Sequence, residues 1–191
     1  MNLANLLTCS RMILAVLFAY FLFSQAPFAR FIALFIFIAA ALTDWWDGLA
    51  ARGMGQTSHF GKLMDPIADK ILTLAAFISF CVLGLIPWWV VGIIAAREIW
   101  VTVARLQMAP GNPKIAAVPA GKHKTVLQML YIIAVLLYLI AVQSPYWNAA
   151  WDGRAEVLTL AGACLIAAVT LYSGIRYFYM NREYFTGAPP G

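Results

Sequence analysis

The stretch from Thr43 to Lys70 reads TDWWDGLAARGMGQTSHFGKLMDPIADK and holds Asp44, Asp47, Asp65 and Asp69, half of the acidic residues in the chain. Asp44 and Asp47 stand at i, i+3, and Asp65 and Asp69 at i, i+4. On helices each pair occupies one face. Paired as a hairpin, the two helices bring four carboxylates to one place. Four negative charges in a small volume need a counter-charge, either a proton or a cation. No His or Cys belongs to the set. All-oxygen ligation selects a hard divalent ion, Mg²⁺ first, then Mn²⁺ or Ca²⁺. Gly48 and Ala51 remove side chains where a ligand or another backbone must come close. Arg52 offers a planar donor fork suited to phosphate oxygens. Gly61 lies one turn before Asp65. Carboxylates around a divalent ion, with an arginine, are the parts expected where a pyrophosphate is bound and cleaved. Solvated aspartates on a loop, paired with Arg52, Lys62 and Lys70, would have no need of this regular spacing.

The elements that carry these residues follow from composition. The chain has 191 residues, 63% of them hydrophobic and 11% charged. Soluble domains have about 25% charged residues. This balance, with a mean hydropathy of +0.82, excludes a soluble globular domain, a disordered chain and a disulfide scaffold. It points to a polytopic membrane protein. Cys9, Cys81 and Cys164 are scattered and read as small buried hydrophobes. Arg11 interrupts the first apolar stretch and no small-residue cleavage site follows it, so no cleavable signal peptide is expected. Six stretches approach the length of a membrane span: about Leu6–Ser24, Phe31–Arg52, Pro66–Leu85, Trp88–Gln107, Thr125–Val142 and Val157–Tyr179. Pro87, Trp88 and Trp89, and again Pro145, Tyr146, Trp147 and Trp151, mark an interfacial depth.

On that count Arg11, Arg52, Lys62, Lys70, Arg105, Lys114, Lys122, Lys124, Arg176 and Arg182 fall on one side, and Arg30 and Arg154 on the other. Basic residues collect on the cytoplasmic side, so both termini are expected there. The net charge of +5 reads as this bias and as attraction to anionic headgroups rather than as a nucleic-acid surface. No internal repeat or second domain is evident. Residues 1–186 read as a single six-helix transmembrane domain, with 1–11 an interfacial N-terminal segment and 187–191 a disordered tail.

The aspartate stretch resembles the signature of the CDP-alcohol phosphotransferase family, D-x2-D-G-x2-A-R-x8-G-x3-D-x3-D. Asp44, Asp47, Gly48, Ala51, Arg52, Gly61, Asp65 and Asp69 fill it with every spacing intact. The resemblance implies an all-α bundle of six transmembrane helices and a homodimer. It implies transfer of a phosphatidyl or related group from a CDP-linked donor to an alcohol, with release of CMP. Asp44, Asp47 and Asp65 then look like ligands of one or two Mg²⁺ ions per chain, with Mn²⁺ as the substitute. Asp69 looks like the general base for the acceptor hydroxyl and touches a second metal if there is one. Asp44, Asp47, Gly48, Ala51, Arg52 and Gly61 look like the CDP-binding part, with Arg52 on the pyrophosphate.

The signature leaves the acceptor open. Further basic residues favour a phosphorylated one. Arg97 lies inside the fourth span and Arg105 near its end; their eight-residue step turns about 80° beyond two full turns, an angle that allows both to face one cavity. Lys122 and Lys124 begin the fifth span. A purely structural reading pairs Arg97 with Glu98 or an aspartate and sends the lysines to lipid headgroups. Three short elements resemble family members that use glycerol 3-phosphate. Asn2, Thr8 and Arg11 fit N-I-P-x-x-x-T-x-x-R, with Ala4 in place of proline. Ala96-Arg97-Glu98 with Arg105 fits A-R-E-…-R, and Gly121-Lys122-His123-Lys124-Thr125 fits G-K-x-K-T.

Thr8 joins the candidate CDP-binding residues, and Arg97, Arg105, Lys122 and Lys124 become candidates for the acceptor phosphate. The expected substrates are CDP-diacylglycerol and sn-glycerol 3-phosphate, at the cytoplasmic face of a bacterial inner membrane. An inositol-phosphate or cardiolipin-type acceptor is the nearest alternative. A divalent-cation transporter fits worse, since such sites lie near the bilayer midplane and come with repeats. His59 and His123 read as solvated loop residues. Met108–Pro113 reads as a turn-rich connector.

Overall fold

The computed structural model describes residues 3–50, 59–108 and 120–182, and the side chains of 10–43, 70–104 and 123–182. These residues form α1 (Leu3–Phe23), α2 (Ala29–Ala50), α3 (His59–Val82), α4 (Trp88–Met108), α5 (Ala120–Val142) and α6 (Asp152–Met180). A 3-10 turn, Ala149–Trp151, leads into α6. Among the described residues there is no β-strand. Each expected span falls on one helix. The largest difference is at α3, which begins at His59 rather than Pro66. Hydropathy marks where apolar surroundings begin, whereas a helix begins where its backbone bonds do. His59, expected in a loop, is the first residue of α3, and His123 lies in the first turns of α5, exposed. Residues 109–119, which hold most of the expected connector, and the tail 187–191 lie outside the described residues.

The turns have local causes. Gly84, at φ 75°, ends α3. Its amide donates to the Cys81 carbonyl, and the Leu85 amide donates to the Phe80 carbonyl. That pair of bonds closes a helix through a left-handed residue, which glycine adopts without a Cβ clash. After α5, the Asn148 side chain accepts from the Ala150 amide. The Trp147 indole donates to Asp152 Oδ1 at 2.7 Å, and Asp152 sits in the first turn of α6, where a carboxylate suits the helix dipole. Arg30, at the start of α2, donates to the Leu139 carbonyl in the last turns of α5 at 2.6 Å. That carbonyl is among those a helix end leaves without a partner. The bond holds the 24–28 and 143–148 connectors at one end of the bundle.

α1 packs on both α2 and α3, α3 on α4, and α6 on both α4 and α5. The core runs through Phe18 and Phe37, with ring centroids 5.9 Å apart, then Phe77, Phe80, Ile94 and Leu136. The outside is apolar too. Val16, Phe35, Ile78, Ile99, Leu130 and Leu158, one on each helix, are all more than half exposed. Such a continuous apolar surface suits hydrocarbon and not water. His123–Val142 and Ala149–Met180 are each long and apolar enough to cross a membrane; Ser10–Phe23, Ala29–Thr43 and Lys70–Val82 are apolar but shorter.

Candidate active site

Helical register places the four aspartates. On α2 the buried residues are Ala29, Ala33, Ile36, Phe37 and Ala40. At 100° per residue, Asp44 lies within about 20° of Phe37, and Asp47 within about 20° of Ile36 and Ala40. On α3 the buried row is Leu72, Ala76 and Phe80. Asp65 lies within about 20° of Leu72 and Ala76, and Asp69 within about 20° of Ala76 and Phe80. Asp44 and Asp47 stand in the last turns of α2, and Asp65 and Asp69 in the first half of α3. Among the described residues no group of three His, Cys, Asp or Glu side chains converges; the candidate cation ligands are the four aspartates of the sequence pattern. Their carboxyl chemistry, oxygen donors without nitrogen or sulfur, fits a hard divalent ion.

Immediately past Asp69 the described side chains form a polar junction inside the bundle. Its centre is Glu98, in the middle of α4 and buried. Glu98 Oε1 accepts from Lys124 of α5. Glu98 Oε2 lies 3.3 Å from Lys70 Nζ of α3 and 3.5 Å from Arg97 Nη1. Arg97 Nη2 donates to Ser173 Oγ of α6 at 2.8 Å. One turn along α5, Gln128 donates to Thr170 of α6 at 3.4 Å. Four helices thus meet on one carboxylate and its cations. Side-chain exposure grades them: Lys124 1%, Glu98 4%, Arg97 9% and Lys70 31%.

Gly174 makes room for this arrangement. A Cβ there would stand 3.1 Å from Arg97 Cγ, so glycine lets the arginine stem lie against α6. On its other side Arg97 lines an apolar groove of about 650 Å³ between α4 and α6, walled by Trp88, Trp89, Trp100, Ile175 and Phe178. Among the described residues, Arg97 is the one charged residue lining it.

Comparison with known proteins places this arrangement. Residues 1–172 match the CDP-alcohol phosphatidyltransferase family. The chain belongs to that family. A Mycobacterium tuberculosis relative, named a probable phosphatidylglycerophosphate synthase, is 38% identical over 175 residues, covering 88% of this chain and 78% of the relative. Bacillus subtilis and Escherichia coli relatives are both named CDP-diacylglycerol--glycerol-3-phosphate 3-phosphatidyltransferase. The first is 36% identical over 199 aligned positions, covering 95% and 96% of the two chains. The second is 37% identical over 164, covering 83% and 89%.

Within this CDP-alcohol phosphatidyltransferase, Thr8 lies on α1, Asp44, Asp47 and Gly48 on the last turns of α2, and Gly61, Asp65 and Asp69 on α3. The side chains of all seven lie outside the described residues, as do Ala51 and Arg52 altogether. Arg105 lies in the last turn of α4 and Lys122 in the first of α5, again with side chains outside the described set. Arg97 and Lys124 are brought together, through Glu98. Sequence reasoning paired Glu98 with Arg97 but gave Lys70, Gln128, Thr170 and Ser173 no part. The signal for three of them was a polar residue at helical spacing in an apolar run: Gln128 four after Lys124, and Ser173 three after Thr170.

Proposed function

We propose that this protein is a CDP-diacylglycerol--glycerol-3-phosphate 3-phosphatidyltransferase, which makes phosphatidylglycerol phosphate and CMP for phospholipid synthesis. The observation that carries this reading is the family signature, intact from Asp44 to Asp69, in a chain whose relatives bear that name. The cationic junction beside Asp69 supports a phosphorylated acceptor.

In this mechanism Asp44, Asp47 and Asp65, with Asp69 where a second ion binds, hold Mg²⁺ (or Mn²⁺). The ion's part is to neutralise charge on the pyrophosphate and on departing CMP. Gly48, Ala51 and Gly61 keep space for the nucleotide, Thr8 lies on the helix beside them, and Arg52 grips the pyrophosphate oxygens. Arg97, Arg105, Lys122 and Lys124 supply positive potential for the phosphate of glycerol 3-phosphate. The acceptor's primary hydroxyl gives its proton to Asp69, and its oxygen attacks the phosphorus that carries diacylglycerol. The new P–O bond forms as the bond to CMP breaks.

The apolar exterior supports six transmembrane helices in one domain, in the inner membrane of a bacterium, with active site and termini facing the cytoplasm. The signature supports a homodimer, with membrane lipids as its surroundings. CDP-diacylglycerol then enters sideways from the bilayer. Purified protein given CDP-diacylglycerol, Mg²⁺ and isotopically labelled glycerol 3-phosphate is expected to move label into phosphatidylglycerol phosphate. Label that stays in the aqueous phase would overturn the proposal.

A further inference from the structure

We propose that Ser173 and Gly174 of α6 are positioning residues for the acceptor: together they seat the Arg97 side chain in the orientation in which it meets the acceptor's phosphate. This rests on the phosphorylated-acceptor reading above. It adds two residues that stand outside the signature and just past the matched segment 1–172.

Arg97 has the most to gain from a seat. It lies within α4, in an apolar run, where an ionised side chain is costly unless its donors are met. It is also long, and each rotatable bond is freedom that binding an anion would otherwise have to remove. The fold removes that freedom in advance. Glu98 Oε2, from the next residue of α4, lies 3.5 Å from Nη1. Ser173 Oγ accepts from Nη2 at 2.8 Å, across the contact between α4 and α6. Contacts to both terminal nitrogens of one planar group fix its plane as well as its place.

Gly174 supplies the room. A Cβ there would stand 3.1 Å from Arg97 Cγ. Among the described residues, that carbon is the one atom of another helix that such a Cβ would meet within 4 Å. The space at 174 is thus matched to the arginine stem. Ser173 is 2% exposed, and a hydroxyl so buried is costly without a partner; here it meets the guanidinium. The apolar packing of α6 falls to Ala163, Ile166, Ala167 and Tyr177 instead. A serine followed by glycine therefore serves Arg97 rather than the core. Loosening this seat weakens the hold on the acceptor and leaves the nucleotide's residues on α2 and α3 untouched.

The test compares wild type, Ser173→Ala, Gly174→Ala and Gly162→Ala in detergent, by CMP release at varied glycerol 3-phosphate and at varied CDP-diacylglycerol. Ser173→Ala removes the bond to Nη2, and Gly174→Ala pushes the stem aside. Each is expected to raise the KM for glycerol 3-phosphate at least about threefold, the scale of one modest hydrogen bond. The KM for CDP-diacylglycerol is expected to stay near wild type. Gly162→Ala crowds Tyr131 on the same helix, about 18 Å along the axis from Gly174. It is expected to lower the unfolding midpoint without moving the acceptor KM, which separates seating from general destabilisation. Gly174→Ala takes away no polar group, and it carries the test alone if Ser173→Ala does not fold. An unchanged acceptor KM in Gly174→Ala or in a folded Ser173→Ala would overturn the inference while leaving the acceptor reading intact. So would an equal rise in both KM values, or the same rise in Gly162→Ala. A wild type that releases CMP with another acceptor but not with glycerol 3-phosphate would overturn the acceptor reading itself.

Discussion

Glu98 and Lys124 form a buried pair with unequal partners, and this makes their single substitutions unequal. Glu98→Leu takes from the Lys124 ammonium, 1% exposed, the carboxylate that it donates to. Removing one member of a buried pair costs about 3–5 kcal/mol. Lys124→Met is milder, because Glu98 keeps Lys70 at 3.3 Å and Arg97 at 3.5 Å. The remaining partial compensation brings that cost to about 1–2 kcal/mol, the range for losing a hydrogen bond to a charged group. The double substitution Glu98→Leu/Lys124→Met replaces both charges by apolar groups and is expected to fall within about 1 kcal/mol of wild type. Lys70→Met alone, at a third exposed, is expected to change stability by about 1 kcal/mol or less. Unfolding by sodium dodecyl sulfate in mixed micelles, followed by helix content, measures all four. Equal costs for the two single substitutions, or a double variant less stable than Glu98→Leu, would refute the account of a shared buried carboxylate.

Other substitutions test separate parts. Asp69→Asn keeps shape and removes the proposed base, so turnover is expected to vanish while CDP-diacylglycerol binding, measured by its protection against thermal unfolding, largely persists. Full activity in that variant would remove Asp69 as base. Gly162→Ala puts a Cβ 2.8 Å from Tyr131 Cε2. The Tyr131 ring cannot yield easily: it stacks on Phe77 at 5.8 Å, and its hydroxyl donates to the Thr159 carbonyl at 3.0 Å. Overpacking of this kind costs about 1–3 kcal/mol, read as a lower unfolding midpoint. Gly84→Ala forces a Cβ into the left-handed turn after α3, at φ 75°, and is expected to lose about 1 kcal/mol. An unchanged midpoint would mean that the turn relaxes.

The helices were legible because spans are long, apolar and bounded by aromatic and proline-rich connectors. Pro87-Trp88-Trp89 and Pro145-Tyr146-Trp147 set their positions. The start of α3 was less legible because His59–Asp65 is polar, so hydropathy placed the boundary at Pro66. The aspartates were legible as paired spacings, and the structure adds that both pairs stand on helices, α2 and α3. The junction around Glu98 was mostly hidden. Its partners Lys70 and Lys124 come from other helices, remote in sequence and without periodicity to link them to Glu98. Only packing shows that Lys124, expected at the acceptor phosphate, lies against Glu98. Gly174 was likewise silent in the sequence, since its role is the space it leaves for Arg97.

The central claim is a metal-dependent phosphatidyl transfer to glycerol 3-phosphate. The most direct measurement is CMP release by the purified protein with CDP-diacylglycerol and Mg²⁺. Glycerol 3-phosphate, inositol phosphate, serine and phosphatidylglycerol are offered in turn, each with and without EDTA. The account predicts release with glycerol 3-phosphate alone, and its loss in EDTA. Release with another acceptor instead, or release that persists in EDTA, would contradict it.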